Sequence, residues 1–174
     1  LCAFVLAFLA AALSWLVPRS RAVHAATAVA AGAGTLLVVT AIVMRCMIRG
    51  RPPVSTLYET VLFVTAVGTL VALVTEAIGR RRMALSAAAL LGMLGLFVAN
   101  GYEVLDKKDT MPSLVAVLDT NFWLATHVTS ITVGYSAGLL AALLASFYLI
   151  GKATGWKRGE RAFYAHLGRM VYGV

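Results

Sequence analysis

Residues 122–150 read FWLATHVTSITVGYSAGLLAALLASFYLI and contain no Lys, Arg, Asp or Glu. A helix needs about 20 apolar residues to cross the hydrocarbon core of a bilayer, so this run can span a membrane with some tilt. Four other runs share its character, at 1–17, 23–48, 56–78 and 84–100. Lipid offers no water to backbone N–H and C=O groups, which forces each run to be a helix. A closed β-barrel would need strands of about ten residues with alternating polarity, whereas these runs are apolar on all sides and rich in Ala and Leu. The composition agrees: 61% of the residues are hydrophobic and 13% charged, where about a quarter are charged in a soluble domain. One small core cannot hide that much apolar surface. The sequence therefore predicts an all-α, polytopic integral membrane bundle. It reads as a single transmembrane domain over 1–174, with about five membrane-spanning helices and the first turn of a sixth at Met170 to Val174.

The net charge of +8 does not point to nucleic acid, because the basic residues sit in short clusters between apolar runs and form no stripe along a helix. They report orientation instead. The odd-numbered connections carry Arg19, Arg21, Arg80, Arg81, Arg82, Lys152, Lys157, Arg158, Arg161 and Arg169, and the even ones only Arg45, Arg49, Arg51, Lys107 and Lys108. An excess of Lys and Arg marks the cytoplasmic side. The turn from Gly50 to Glu59 and the connection from Gly101 to Asn121 are then expected outside, and the tail from Gly151 to Arg169 inside. Cys2 and Cys46 lie in apolar runs at no metal-binding spacing and read as small hydrophobes. The chain starts at Leu1 within an apolar run, without Met, and reads as a piece of a longer protein.

The residue types with chemistry to offer cluster in the two outer segments. His127 lies about one turn inside the outer end of the fifth run, on one helical face with Trp123, Ile131, Gly134 and Gly138. An ionisable side chain at that depth faces a cavity, a partner or a cofactor, and neutral imidazole is a common axial ligand of haem iron. Phe122 and Trp123 could stack on a porphyrin, and the glycines admit a flat ligand or another helix. The rival reading is a hydrogen-bonded histidine beside an interfacial tryptophan. His24 and His166, among basic residues, read as solvated or interfacial.

Gly134 to Gly138 matches G-x-S-x-G, but a nucleophile elbow needs a strand, a turn and a helix; in mid-helix the same residues are better read as a G-x-x-x-G packing face. Ala30 to Gly34 offers a similar surface. In Gly50-Arg-Pro-Pro-Val-Ser-Thr-Leu-Tyr-Glu59, Ser55 or Thr56 can cap the third helix, with Glu59 in its first turn. That pattern is close to a capping box. Arg49 and Arg51, on the same side of the membrane as His127, are suited to carboxylates such as haem propionates.

Two stretches carry a family resemblance. Arg51, Pro53, Ser55, Leu57, Tyr58, Glu59 and Phe63 form the first; Met111, Pro112, Ser113, Leu114, Asn121, Phe122, Trp123, Leu124, His127, Val128, Gly134 and Tyr135 form the second. In order, spacing and expected outer location they resemble the CcsA/ResC family of cytochrome c assembly proteins, the membrane component of system II, from about Arg45 to Ile150. The resemblance implies that His127 is an axial ligand to haem on the outer face, with Trp123, Phe122 and Arg51 around it. The family's Trp-rich loop and second outer histidine should follow the next helix and are not among these 174 residues, so half of a haem site is expected here.

The implied function is delivery of haem b at the outer face and its presentation to the CxxCH cysteines of apocytochrome c, alongside a ResB/CcsB-type membrane partner. Such a protein is a component of a haem-lyase (holocytochrome c synthase) complex in the bacterial plasma membrane or, alternatively, the plastid thylakoid membrane. The rival functions are a membrane exporter of haem or another ligand without synthase activity, and a structural helical scaffold. No paired Gly/Pro breaks or inverted repeat favour the exporter.

Overall fold

The computed structural model describes residues 1–17, 20–50, 52–79, 83–106, 122–155 and 161–173. Six helices follow one another: α1 (Cys2–Leu16), α2 (Arg21–Arg49), α3 (Leu57–Gly79), α4 (Met83–Asp106), α5 (Phe122–Ala153) and α6 (Arg161–Gly173). Among the described residues there is no strand. Four helices, α2 to α5, are long and apolar enough to cross a membrane. α1, with 15 residues, rises about 22 Å and falls short of a full span by length alone. The fourth run extends beyond its expected end, because residues 101–106 continue α4 instead of opening the outer connection. The sixth helix begins at Arg161, nine residues before the expected turn at Met170, so the predicted cytoplasmic tail is in part helical.

Helix ends follow local chemistry. The Ser20 hydroxyl caps α2 by accepting from the Val23 N–H at 3.3 Å. Gly50 ends the same helix in the left-handed region, φ 61°, with its N–H donating to the Cys46 carbonyl; a side chain would be strained there.

The packing has the polarity of size that lipid imposes. Small residues fill the contacts between helices, among them Ala7, Ala11, Ala31, Ala72, Ala84, Ala87 and Ala88, while Leu36, Leu37, Met47, Ile48 and Ile78 point outward. In lipid, burying a large aliphatic side chain gains nothing over leaving it in the acyl chains, so close approach of small residues drives association. Buried hydroxyls add to it: Thr35 of α2 and Thr69 of α3 stand 3.1 Å apart.

α3 makes its broadest contact with α4, and α1 with α2; α5 packs on α3, α4 and α6. Gly34 gives up a side chain to Phe4, which is fully buried: a Cβ there would lie 2.9 Å from the ring. The small-residue surface expected at Ala30 to Gly34 is thus used to seat α1. On the far side of α3, Leu140 and Leu144 of α5 and Leu167 of α6 close a cluster with Ala72, Met83, Ala84, Ala87 and Ala88. The Tyr148 and Tyr164 rings meet edge to face at 5.6 Å, a second point at which α6 rests on α5.

Candidate functional site

The turn between α2 and α3 is organised around one carboxylate. Glu59, 7% exposed, accepts on Oε1 from Arg49 at 3.0 Å and from Arg45 at 3.3 Å. Its Oε2 accepts from the Ser55 N–H at 3.2 Å and from the Ser55 hydroxyl. Thr56 is the residue that caps α3, its Oγ1 accepting from the Glu59 N–H at 3.2 Å. Half of a capping box is present, and the acid reaches one residue further back than usual while also neutralising α2. Above it the Arg45 guanidinium lies 5.0 Å from the centre of the Tyr58 ring, and Tyr58 neighbours Tyr102 of α4 at 6.4 Å. One acid therefore ties together α2, the turn and the start of α3. Arg45 and Arg49, four apart on α2, give a sequence signal for a shared acidic partner; which acid it is lies 10 to 14 residues further on and cannot be read locally.

His127 is exposed, and so are Trp123, Ile131, Gly134 and Gly138 of its face. Trp123, 77% exposed, meets Phe122 edge to face at 5.6 Å. A Cβ built on Gly134 or Gly138 would meet nothing within 4 Å, so among the described residues no other helix occupies the expected G-x-x-x-G face. Ser136 is fully buried and donates to the Thr132 carbonyl at 2.7 Å in mid-helix, as the reading of G-x-S-x-G as accidental requires.

The two features lie at one depth but not on one wall. Gly68 of α3 faces Ser136 of α5 and Ala72 packs with Leu140 and Leu144, so α3 and α5 run parallel. Nine residues back along each, about 13 Å, are Glu59 and His127. Nine residues also turn the helix by about 900°, which puts His127 on the side of α5 opposite to Ser136 and to α3. Since α2 packs on α1, α3 and α4 and α5 on α3, α4 and α6, α3 separates the arginines of α2 from His127. Arg49 is therefore not the open ligand for a carboxylate that its position suggests: Glu59 already engages it. Arg51 lies outside the described residues, as do the Met111 to Leu114 motif and Asn121.

At the other end of the bundle His24 is not simply solvated. Its Nε2 lies 3.9 Å from Oε1 of Glu76, whose carboxylate is buried at the end of α3 and accepts from the Leu85 N–H at 3.4 Å. His166 is on α6, and its surroundings are outside what the structure describes. Among the described residues no group of three or more His, Cys, Asp or Glu side chains could hold a metal ion; a single imidazole on an open face suits an ion that brings its own equatorial ligands.

Gly134→Ala and Gly138→Ala are each expected to leave the isolated chain as stable or stabilise it by up to about 1 kcal/mol, the helix-propensity gain of Ala over Gly. Thermal unfolding in detergent followed by circular dichroism tests this, and destabilisation would mean that the face is packed.

Four apolar spans, the last with an exposed imidazole, define a polytopic helical membrane protein with a face on α5 that no other described helix covers. The comparisons with known proteins give the family. The chain is 30% identical over 148 residues to "Cytochrome c biogenesis protein CcsA" of Parasynechococcus marenigrum (strain WH8102), a match that covers 85% of this chain and 48% of the relative. It is 29% identical over 147 residues to the protein of the same name from Synechococcus sp. (strain CC9605), covering 84% and 48%. The resemblance carried by the two motifs is thereby shown: this is a CcsA-like chain over most of its length. It spans about half the length of these curated relatives. The longer match leaves 26 residues unmatched, fewer than lie on either side of His127, so it includes that residue. No protein-family model and no solved structure matches the chain.

Proposed function

We propose that this chain is part of a haem-handling subunit of cytochrome c assembly, in which His127 binds haem at the outer face of the membrane and the complete protein presents it to apocytochrome c. One observation carries the reading: within the stretch that matches CcsA, an imidazole on a membrane-spanning helix stands exposed on a face whose two glycines have open space before them. An unsolvated ionisable group at such a depth is costly unless a partner meets it, and iron is a partner that imidazole fits.

The haem is cargo and carries its own redox chemistry; this chain's residues supply binding and orientation. His127 would offer a ring nitrogen to the iron, Trp123 and Phe122 would cover an edge of the ring, and Gly134 and Gly138 would allow a flat molecule to approach α5. With Arg49 engaged by Glu59, Arg51 is the basic residue of the turn proposed to meet a propionate. The membrane is proposed to be the bacterial plasma membrane, and the partners a ResB/CcsB-type subunit and an apocytochrome with CxxCH cysteines. Whether the assembled complex is itself the haem lyase is decided by its activity on such an acceptor.

The test is an absorption spectrum with a pyridine haemochrome assay on the complete protein in detergent, wild type and His127→Ala. A Soret band that falls or shifts in the variant is the expected result. The same haem content and band position in both would remove His127 from the site.

A further inference from the structure

The turn between α2 and α3 runs against the charge rule that orients the rest of the chain. Arg45, Arg49 and Arg51 stand at the turn end of α2, and only Arg19 and Arg21 at its start. An excess of Lys and Arg holds a segment on the cytoplasmic side, so α2 taken alone favours the reverse of the orientation that the whole chain's basic residues give. For α3 the same arginines are balanced by Arg80, Arg81 and Arg82. α4 and α5 have no conflict: Lys107 and Lys108 at their outer ends are outnumbered by those three arginines and by Lys152, Lys157 and Arg158 at the inner ends. α2 is the span whose own flanking charges oppose its placement.

The Glu59 network offsets that opposition. Oε1 of Glu59 accepts from Arg49 at 3.0 Å and from Arg45 at 3.3 Å, with little of any of the three side chains exposed. Arg45 lies a full turn inside the end of α2, about 6 Å along the axis, where an unpaired guanidinium is costly and a paired one much less so. The acid that meets both arginines is also the first to follow them, 14 residues after Arg45 and 10 after Arg49, in the first turn of α3. Glu103, the exposed acid at the outer end of α4, comes only after the whole of α3 and most of α4. We infer that Glu59 sets the orientation of α2: by pairing with Arg45 and Arg49 as α2 and α3 enter the bilayer together, it lets the arginine-bearing end of α2 cross to the outer face and remain there. Haem binding plays no part in this step.

The complete protein is expressed in bacterial cells with Cys2→Ser and Cys46→Ser and with Leu57→Cys as the site of label, Leu57 being exposed at the start of α3; the same protein without Leu57→Cys gives the background. Intact spheroplasts and inside-out vesicles are treated with a membrane-impermeant maleimide. The labelled fraction is taken relative to labelling after denaturation, so it reads orientation whether or not the protein goes on to fold. The parent is expected to be labelled from outside. In Glu59→Gln the outside fraction is expected to fall severalfold, with a matching rise in inside-out vesicles. Adding Arg45→Gln and Arg49→Gln to Glu59→Gln is expected to restore labelling from outside, because the arginines that need a partner are gone. An unchanged outside fraction in Glu59→Gln would overturn the inference. So would a fraction that stays low after both arginines are removed, since the acid would then act through packing alone, or labelling of the parent from the cytoplasmic side.

Discussion

Glu59→Ala is expected to destabilise the protein by about 3–5 kcal/mol, the range for removing one partner of a buried ion pair. The carboxylate is 7% exposed and both guanidinium groups meet the same oxygen, so its loss leaves two like charges close together where water screens them poorly. It also takes the acceptor from the Ser55 N–H, and the turn loses its tie to α3. Glu59→Gln keeps an acceptor for Ser55 without the charge and is expected to fall between wild type and Glu59→Ala. Replacing the whole cluster, Arg45→Met with Arg49→Met and Glu59→Leu, is expected to restore most of the lost stability, because well-packed apolar residues commonly replace a buried ionic cluster at little cost. Reversible unfolding in mixed micelles, followed by helical circular dichroism, gives all three values. A cost below about 1 kcal/mol for Glu59→Ala would be the value of an exposed pair and would mean that the network does not hold the turn.

The seat of Phe4 is the second sensitive point. Phe4→Ala is expected to cost about 3–5 kcal/mol through the cavity it leaves, since the ring is fully buried against Gly34 of α2 and Gly92 of α4. Gly92→Ala attacks the same seat from α4: its Cβ would overlap the Phe4 ring, which cannot retreat because Gly34 already lies against it on the other helix. The overlap is expected to cost about 1–3 kcal/mol, the usual penalty of overpacking. The two effects share one space, so they are expected not to add. With Phe4→Ala in place, Gly92→Ala should cost little or even fill part of the cavity, and a double-mutant cycle in the same unfolding assay reads the difference. Strict additivity would show that Phe4 does not occupy this slot in the membrane.

Much of the architecture was legible because membrane helices obey a local rule. An uncharged run of some 20 residues has to be a helix in lipid wherever it packs, so α2 to α5 were found close to their limits. The errors came where that rule stops. Residues 101–106 continue α4 because a polar end such as Tyr102 and Glu103 stays helical beyond the hydrocarbon core. α6 starts at Arg161 because its apolar residues, Phe163, Leu167 and Val171, recur at intervals of four and pack on α5, a pattern without a long apolar run. The candidate site divided in the same manner. His127, Trp123, Gly134 and Gly138 share a face by helical periodicity alone, and they do so in the structure. Their openness, like the burial of Ala31 and Gly34, depends on which helices come to lie beside them.

The sequence by itself determined the class of fold, the four long apolar helices and the family, since each depends on composition, periodicity or motif within one segment. Only the tertiary structure decided that Arg49 belongs to Glu59 and not to a ligand, that His24 faces Glu76, and that α3 stands between the arginines and His127. Those facts are pairings between helices. In a membrane the apolar faces of different helices are nearly interchangeable to lipid, and the choice among them is made by small-residue fit and by buried polar partners brought from distant parts of the chain.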